Sequence, residues 1–563
     1  MQQVTTSTLR SAFRSGLVIG IVSIFITLIG MLQSFAGRHV VGDITLTMVI
    51  IAGLGLAAGH MGVGRAQKWA NTPGLKLLAG VVSGAVSGIL LALLLVLVSQ
   101  VDMREVLVNV TPEMVAALSF NQGVSIGVVL LIGLFLIASA LAVLLGLIPS
   151  RLSKAIQQSV SAVLLVGLFW EVLIKLDITQ LLLKTVGVKP PKVLSPLGGL
   201  VVLVAVGLIS YFWPTAKSRW VKRAETRSAT GGQVGRWLGI AALIAFLIAL
   251  PQAVGLFWSQ TLTTIGLFAL MGLGLNIVVG MAGLLDLGYV AFYAIGAYTM
   301  ALFSSPASSL ATNWSFWVVL PLALITAAVG GILLGIPVLR LRGDYLAIVT
   351  LGFGEIIRVL LLSDVLKPYL GGPQGILETP SPVFFGTMLD DPRYLYYLIL
   401  AACIVVIFLS TRLSSSRIGR AWVAVREDED VAQAMGVNLV TAKLMAFATG
   451  AAFAGVGGAI FAARQGAIFP ADFTIFISIN VLCLIIIGGL ASTPGVLVGA
   501  LFLIGLPEVL REIDEFRILA YGAGLVIMMI VRPEGLLPSA RRRMELHQGQ
   551  TLAAQVVCGG DEE

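Results

Sequence analysis

The sequence predicts an all-α protein that crosses a membrane many times. The chain has 563 residues, of which 58% are hydrophobic and only 11% charged, with a mean hydropathy of +1.00. Soluble globular domains carry about 25% charged residues, so this is not the composition of a soluble protein. The hydrophobic residues form long blocks, such as Leu77–Val98 and Phe316–Leu339, near the ~20 residues that an α-helix needs to cross a bilayer. Alternating ten-residue segments, typical of membrane β-barrels, are absent.

The first 213 residues are predicted to form a membrane extension of about six helices, to which the sequence assigns no function. The first apolar run follows Arg10 and Arg14 but is too long for the hydrophobic part of a cleaved signal peptide. No convincing cleavage site follows it, so we expect a retained first helix. The six helices are expected near residues 16–36, 44–60, 75–99, 122–148, 157–176 and 195–213.

A basic stretch, residues 214–236, is predicted to be a cytoplasmic linker with a flexible Gly-Gly pair near its end. It contains several Lys and Arg residues and a single acidic residue, Glu225. Short basic loops are typical of the cytoplasmic side of a membrane protein. The net charge of +8 indicates contact with anionic lipid headgroups rather than nucleic acid, because the basic residues lie in short loops.

The region 237–540 is predicted to be a second membrane domain of about ten hydrophobic segments, followed by a cytoplasmic tail, residues 541–563. The two short segments 476–489 and 494–507 could instead be a re-entrant or broken pair. An even number of crossings on each side of the linker would place both chain termini in the cytoplasm. The segments are expected near 237–257, 261–281, 284–303, 316–339, 344–363, 394–411, 443–463, 476–489, 494–507 and 517–531.

Residues 412–442, here called the polar segment, interrupt this apolar sequence with a dense cluster of charges. Val431, Ala434 and Met435 share one face of a short predicted helix, while the acidic residues point elsewhere. Gly436 and Asn438 are suited to a left-handed turn that ends this helix. Such an element could lie on the membrane surface and fit a groove in a soluble partner. The alternative is an ordinary solvated loop.

No motif for catalysis or cofactor binding is visible. The sequence lacks a Gly-Lys dipeptide, which excludes a phosphate-binding loop, and it has no His-Glu-x-x-His. Its three cysteines and three histidines show no metal-ligand spacing. We therefore predict a protein that is not an enzyme and binds no metal or cofactor of its own.

Several long motifs resemble one family in order along the chain. The spacing Asp430-Val-Ala432, three residues, then Gly436 matches the acidic-Ala-Ala-x3-Gly loop of ABC importer permeases. Residues 260–540 resemble branched-chain amino-acid permeases, in particular the M-type subunit of that family. The motifs that carry the resemblance span residues 283–298, 343–358, 371–376, 416–430, 461–466 and 532–538. The first ~230 residues do not resemble the family core.

This resemblance implies a type II-like permease core in a bacterial or archaeal cytoplasmic membrane. It implies a second permease subunit, two cytoplasmic ATPase subunits that bind ATP and Mg²⁺, and an extracytoplasmic protein that binds the amino-acid substrate. It also implies that the polar segment couples the ATPases to transport. The residues expected in that role are Arg417, Gly419, Arg420, Arg426, Glu427, Asp428, Glu429, Asp430, Ala432 and Gly436.

Charged residues within apolar sequence are candidates for the translocation path, because such charges are costly in a membrane. Asp286 lies at a glycine-rich break, where it could line the path or simply cap a helix 287–302. Glu355 and Arg358 could neutralise each other on one helix. The motif residues Gly288, Tyr289 and Tyr293 complete this set.

Gly371, Gly372 and Pro373 are predicted to form an outer loop, either a docking site for the binding protein or a plain turn. Two alternative functions stay open at this point. One is a permease of the same family for urea, short amides or other amino acids. The other is a secondary transporter or channel that works without ATPases.

Overall fold

The structure is a computed structural model, and it divides the chain into two compact units, Met1–Ala242 and Leu243–Glu563. Residues 177–193, between the fifth and sixth predicted helices, and the predicted tail, residues 541–563, lie outside the described residues. The structure describes residues 2–66, 72–101, 103, 107, 109–170, 194–225, 229–310, 312–339, 341, 343–384, 386–509, 517–532 and 534–538.

The all-α class is confirmed. Within the described residues, ten helices are long and apolar enough to cross a membrane, and the shorter apolar helices include Val290–Ser304. Among the described residues, the β-strands form two small antiparallel hairpins. These pair His39–Val41 with Ile44–Thr45, and Val383–Phe384 with Thr387–Met388.

In the part of the first unit that the structure describes, six long helices lie near the predicted positions. They are α1 (Gln2–Leu28), α2 (Leu46–Ala66), α3 (Pro73–Gln100), α4 (Val124–Leu147), α5 (Ser150–Leu168) and α6 (Pro196–Glu225). Leu91 and Leu95 of α3 pack with Leu131 and Phe135 of α4 in its core. Short helices Met31–Ser34 and Pro112–Leu118 lie between the long ones.

Helix α5 differs from its predicted bounds of 157–176, because it begins at Ser150 and ends at Leu168. Arg151 and Lys154 thus lie within its first turns rather than in the preceding loop. The helix is not among those apolar enough to cross a membrane by themselves.

The stretch 214–236, predicted to be a basic cytoplasmic linker with a flexible Gly-Gly pair near its end, is helical in all its described residues. Helix α6 continues through it to Glu225, and α7 (Ala229–Leu275) includes the Gly-Gly pair. The division between the units falls inside α7, at 242/243. The Gly-Gly pair, expected to be flexible, therefore lies within a helix, since Lys, Arg, Glu and Ala, which favour helix, outweigh the two glycines.

The second unit continues from α7, which breaks at Gly255, where φ is 83° and ψ is 176°. A π-helical segment, Asn276–Met281, ends it. The following helices are α8 (Val290–Ser304), α9 (Phe316–Val338), α10 (Asp344–Leu362), α11 (Pro392–Ser415), α12 (Arg417–Glu427), α13 (Glu429–Ala434), α14 (Leu439–Gln465), α15 (Ile475–Gly488), α16 (Thr493–Ala500) and α17 (Arg517–Val531).

Helix α8 lies at the centre of the second unit, between α9 and α14. Its approach to α14 is close because glycines face backbone. A methyl group on Gly296 would clash with the Gly455 backbone, and one on Gly458 would clash with the Tyr293 carbonyl. Small residues allow this kind of packing between membrane helices. The result buries nearly every side chain of α8.

Candidate functional site

The polar segment folds as a helix–turn–helix whose ends are set by local capping. Ser416 accepts a hydrogen bond from the Gly419 amide (3.2 Å) and starts α12. Asp428 accepts from the amides of Asp430 and Val431 (2.9 and 3.0 Å) and starts α13. Such caps satisfy amides that have no partner inside the helix. The segment therefore has a defined shape rather than that of an open loop.

The turn after α13 corrects one prediction. Gly436 adopts φ of +87°, as a left-handed turn requires. Asn438, predicted to end the short helix in the same way, has φ of −76° and instead accepts a hydrogen bond from the Thr441 amide (3.1 Å). It caps the start of α14, because its side chain reaches the free amides of the next helix.

The inner side of the polar segment is fastened to α14. The fully buried Trp422 donates its indole N–H to the Ala442 carbonyl oxygen at 2.8 Å. Next to it, the Lys443 Nζ contacts both carboxylate oxygens of Glu429, at 2.8 and 2.9 Å, and only 2% of Lys443 is exposed. A buried ammonium needs such a partner. Glu429 is therefore a structural residue of the segment.

Arg426 connects the segment to the broken part of the bundle. Its Nη1 donates to the Gly280 carbonyl oxygen at 2.7 Å. Gly283, with φ of +72°, packs against the Arg426 side chain, where an added methyl would lie 2.8 Å from its Cγ. The end of the π-helical segment thus rests directly on the last turn of α12.

The outer side of the segment is exposed and mixes apolar and charged groups. Met435 is 81% exposed and Val431 57%, and Ala434 between them is exposed as well. These three residues form the face predicted from their spacing, here called the α13 face. Of the remaining predicted residues, Gly419 and Ala432 are buried, whereas those that stay exposed are Arg417, Arg420, Arg426, Glu427, Asp428, Asp430 and Gly436.

Asp286 lies in the irregular stretch between the π-helical segment and α8, and its side chain is fully buried. Its Oδ1 accepts from the Gly288 amide at 2.9 Å, while Oδ2 has no hydrogen-bond partner within the described part of the chain. The helix begins only at Val290. The interpretation of Asp286 as the cap of a helix 287–302 is therefore wrong, and the predicted segment 284–303 loses its first turn.

The ends of this stretch are held by hydroxyls from other helices. Thr350 of α10 accepts from the Leu287 amide (3.0 Å), and Ser478 of α15 accepts from the Val290 amide (2.8 Å). Tyr289 donates its hydroxyl to the Gly450 carbonyl of α14 at 2.8 Å. The irregular stretch is thus held in a defined conformation by hydrogen bonds to three helices.

A second break meets the first one. Helix α15 ends at Gly488, and the Ala491 amide donates to the fully buried Asn276 Oδ1 at 2.9 Å. The C-terminal motif closes over this turn, since the Leu536 and Leu537 amides donate to carbonyls 487 and 488 at 2.8 and 2.9 Å. Asn276 was not singled out from the sequence, although an amide inside an apolar helix is a usable signal.

Tyr293 lies in an aromatic cluster deep in the unit. Its ring centre lies 5.4 Å from that of Phe461 and 5.8 Å from that of Phe473, which also contacts Tyr298 at 5.8 Å. Nearby, Arg464 Nη1 donates to Thr264 Oγ1 at 2.9 Å, which links α14 to α7. Sequence reasoning did not single out Arg464, although a cation at the end of an apolar helix could have identified it.

Glu355 and Arg358 form an ion pair on α10, as predicted. Their side chains are 46% and 34% exposed, respectively, whereas Asp286 is fully buried. The structure therefore does not bring them into one cluster with Asp286. The nearest link is Gly288, whose Cα hydrogens face the Thr350 carbonyl and the Gly354 amide.

The predicted outer loop is a tight turn built on glycine. Gly371 and Gly372 have φ of +76° and +56°, and Pro373 is exposed at its tip. The loop is held by an antiparallel pair of hydrogen bonds between Ile376 and Ile468, both of 3.0 Å.

Within the described residues, no group of three His, Cys, Asp or Glu side chains lies close enough to hold a metal ion.

Comparison with known proteins identifies the family. The family profile described as branched-chain amino acid transport system / permease component matches residues 257–531. The permease LivM of Escherichia coli strain K12 is 38% identical over 431 residues, which cover 72% of this chain and 99% of that protein. The chain belongs to this permease family. LivM of Salmonella typhimurium is 37% identical over 430 residues, with the same coverage.

More distant relatives match about half of the chain. LivH of Escherichia coli strain K12 is 24% identical over 287 residues, covering 48% of this chain and 91% of LivH. No solved structure matches the chain. Since the LivM alignments cover 72% of 563 residues, they extend well before position 257 and into the first unit. Part of that unit is thus shared with these permeases.

Proposed function

We propose that the chain is a permease subunit of an ATP-driven importer for branched-chain amino acids and that the polar segment transmits ATPase motion to its helices. The observation that carries this proposal is the two-sided character of that segment. Its inner side is fixed to the bundle through Trp422, Lys443 and Arg426, while the α13 face points outward. An element that is rigidly held on one side can pass on a force applied to the other.

The partner that fits this face is a cytoplasmic ATPase with an apolar groove rimmed by basic groups. Apolar residues at i, i+3 and i+4 are the spacing by which a helix docks in a groove. The surrounding Glu427 and Asp430 are exposed, and they favour a basic rim. The sequence has no nucleotide-binding loop, so ATP and Mg²⁺ would be bound by that partner.

The route of the motion follows from Arg426. Because this side chain contacts the end of the π-helical segment, a displacement of α12 acts directly on the stretch 280–288. That stretch is hydrogen-bonded to α10 and α15 through Thr350 and Ser478. Breaks in helices are where bending is least costly. We infer that the two breaks, joined at Asn276, bend when the ATPases close.

We place the translocation path along the exposed side of α10, with a second permease subunit on its far side. A Glu355–Arg358 pair exposed on a membrane helix needs water or protein around it, because lipid cannot solvate it. Asp286, Gly288, Tyr289 and Tyr293 lie behind α10 in the interior and would support it. The loop Gly371–Pro373 would receive the extracytoplasmic binding protein, and both chain termini would be cytoplasmic.

The test is reconstitution of this chain with a second permease, an ATPase pair and the binding protein in proteoliposomes. We expect ATP-dependent uptake of labelled leucine, isoleucine and valine, and none of urea. Uptake without ATP or ATPases would indicate a secondary transporter or channel. ATP-dependent uptake of urea but not of leucine would assign the chain to a different substrate of the same family.

A further inference from the structure

The first unit contains an open apolar groove between α5 and α6. Its volume is about 460 Å³, which lies within the range of ~300–1,000 Å³ usual for sites that bind small molecules. Its wall is formed by apolar side chains of both helices, and the hydroxyl of the buried Ser159 is satisfied by the Ala155 carbonyl at 2.7 Å. The wall includes Ala155, Ile156, Ser159, Val204, Gly207 and Leu208.

The groove exists because α5 and α6 run antiparallel and carry small residues where they meet. Gly199 of α6 packs against Val163 of α5, and Gly207 lies opposite Ser159. Ser210 donates a hydrogen bond to Gln158 at the next turn. Gly207 leaves open the space that a larger residue would fill. The wall is almost entirely apolar, so a hydrocarbon chain suits it better than water does.

One end of the groove is strongly basic. Arg151 and Lys154 lie on the first turns of α5, both exposed, and Arg151 directly precedes the wall residue Leu152. On α6, the sequence beyond Tyr211 continues with Lys217 and Arg219 within the same helix. Helix α5 carries no acidic residue, and the single acidic residue of α6 is Glu225 at its last position.

We propose that this groove binds one anionic phospholipid, with an acyl chain in the groove and its phosphate at Arg151 and Lys154. Basic pockets between membrane helices bind anionic headgroups in this way. A neutral lipid would gain only the apolar contact, whereas an anionic lipid gains both. A free phosphate would gain only the charge, and two exposed cations do not hold it without the chain. The lipid would fasten α5, which is not apolar enough to span by itself, to α6.

The test uses the full chain, delipidated in detergent, with native mass spectrometry to count bound lipid. Phosphatidylglycerol, phosphatidylcholine and inorganic phosphate are added separately. We expect phosphatidylglycerol to bind about thirty-fold more tightly than phosphatidylcholine, because each of the two cations at the headgroup contributes a factor of about five, and we expect phosphate not to bind. Equal affinities for the two lipids would overturn the proposal.

Three variants locate the site. The double change Arg151→Gln and Lys154→Gln should abolish the preference for phosphatidylglycerol but leave binding of phosphatidylcholine. Its control, Arg10→Gln with Arg14→Gln, removes two exposed cations from α1 and should leave the preference intact. Gly207→Leu fills the groove and should weaken both lipids.

The remaining outcomes are equally decisive. If the preference survives in the Arg151 and Lys154 variant, or disappears in the Arg10 and Arg14 control, the headgroup site is not here. If Gly207→Leu fails to fold, Leu208→Gln replaces it, because this exposed wall residue can change without disturbing the packing between the helices. Unchanged lipid binding in a folded groove variant would refute the groove.

Discussion

Arg426 and Gly280 are joined by a hydrogen bond of 2.7 Å across 146 residues of sequence. The donor lies in the last turn of α12 and the acceptor near the end of the π-helical segment. This bond is the most direct connection between the exposed α13 face and the interior break. A variant that removes this bond should therefore affect the coupling of ATP hydrolysis to transport more than folding.

We expect Arg426→Ala to lower ATP-dependent leucine uptake by about ten-fold. A hydrogen bond from a charged donor contributes about 1.5–3 kcal/mol, and 1.4 kcal/mol corresponds to a factor of ten. ATP hydrolysis by the assembled complex should continue, because the segment can still dock. The measurement compares uptake with hydrolysis in the same proteoliposomes.

The matched control for this change is Arg420→Ala. Arg420 lies on the same helix, and its guanidinium donates to the nearby Ser415 carbonyl at 3.1 Å. Its removal should leave uptake within about two-fold of the original, since exposed interactions contribute little. Equal losses in both variants would mean that general charge, and not the contact with Gly280, matters.

The buried pair Lys443–Glu429 gives a prediction about stability. Glu429→Gln leaves the Lys443 ammonium buried without its carboxylate, which typically costs about 3–5 kcal/mol. We expect a clear fall in the thermal unfolding temperature of the chain in detergent. The double variant Lys443→Met with Glu429→Leu removes both charges and should recover most of the loss.

If the double variant unfolds at as low a temperature as Glu429→Gln, the unpaired buried ammonium of Lys443 is not the cause of the lost stability. This pair also matters for the design of a docking test. From the sequence alone, reversing the charges of residues 427–430 would be a simple test of docking. Because Glu429 holds Lys443 and Asp428 caps α13, reversing them would disturb folding as well as docking.

Gly288→Ala is expected to destabilise the second unit by about 1–3 kcal/mol, the usual cost of overpacking. An added methyl would collide with the Thr350 carbonyl, and both sides of that contact are backbone. The control is Gly352→Ala on α10, where no heavy atom lies within 4 Å of the added methyl. Alanine there should be neutral or stabilise the helix by about 0.5–1 kcal/mol. Thermal unfolding of both variants measures the difference, and equal melting would refute the close contact.

The sequence predicted the parts of this fold that depend on local pattern. Hydrophobic blocks gave most helix positions, and the i, i+3, i+4 spacing of Val431, Ala434 and Met435 gave the exposed face correctly. Glu355 and Arg358 paired as expected because they are three residues apart on one helix. In each case, the partners lie within about one helical turn, where geometry follows from spacing alone.

What the sequence could not predict depends on contacts between distant residues. The start of α8 at Val290 follows from hydroxyls on α10 and α15 that hold the preceding turn, and hydropathy contains no such information. For the same reason, Asn276 with Ala491 and Arg464 with Thr264 emerged only from the structure. The role of Asn438 was predicted wrongly, because residue type alone does not show which of two neighbouring helices a residue between them caps.

The α13 face gives the sharpest test of docking, because Met435 is 81% exposed. We expect Met435→Glu to abolish leucine uptake and co-purification of the ATPase, since it would bury a carboxylate in an apolar groove. The level of the chain in the membrane and its unfolding temperature should not change. Met388→Glu is the control, because Met388 is 67% exposed on the hairpin 383–388, away from the polar segment. Retained uptake in Met435→Glu would mean that the ATPase grips another part of the chain.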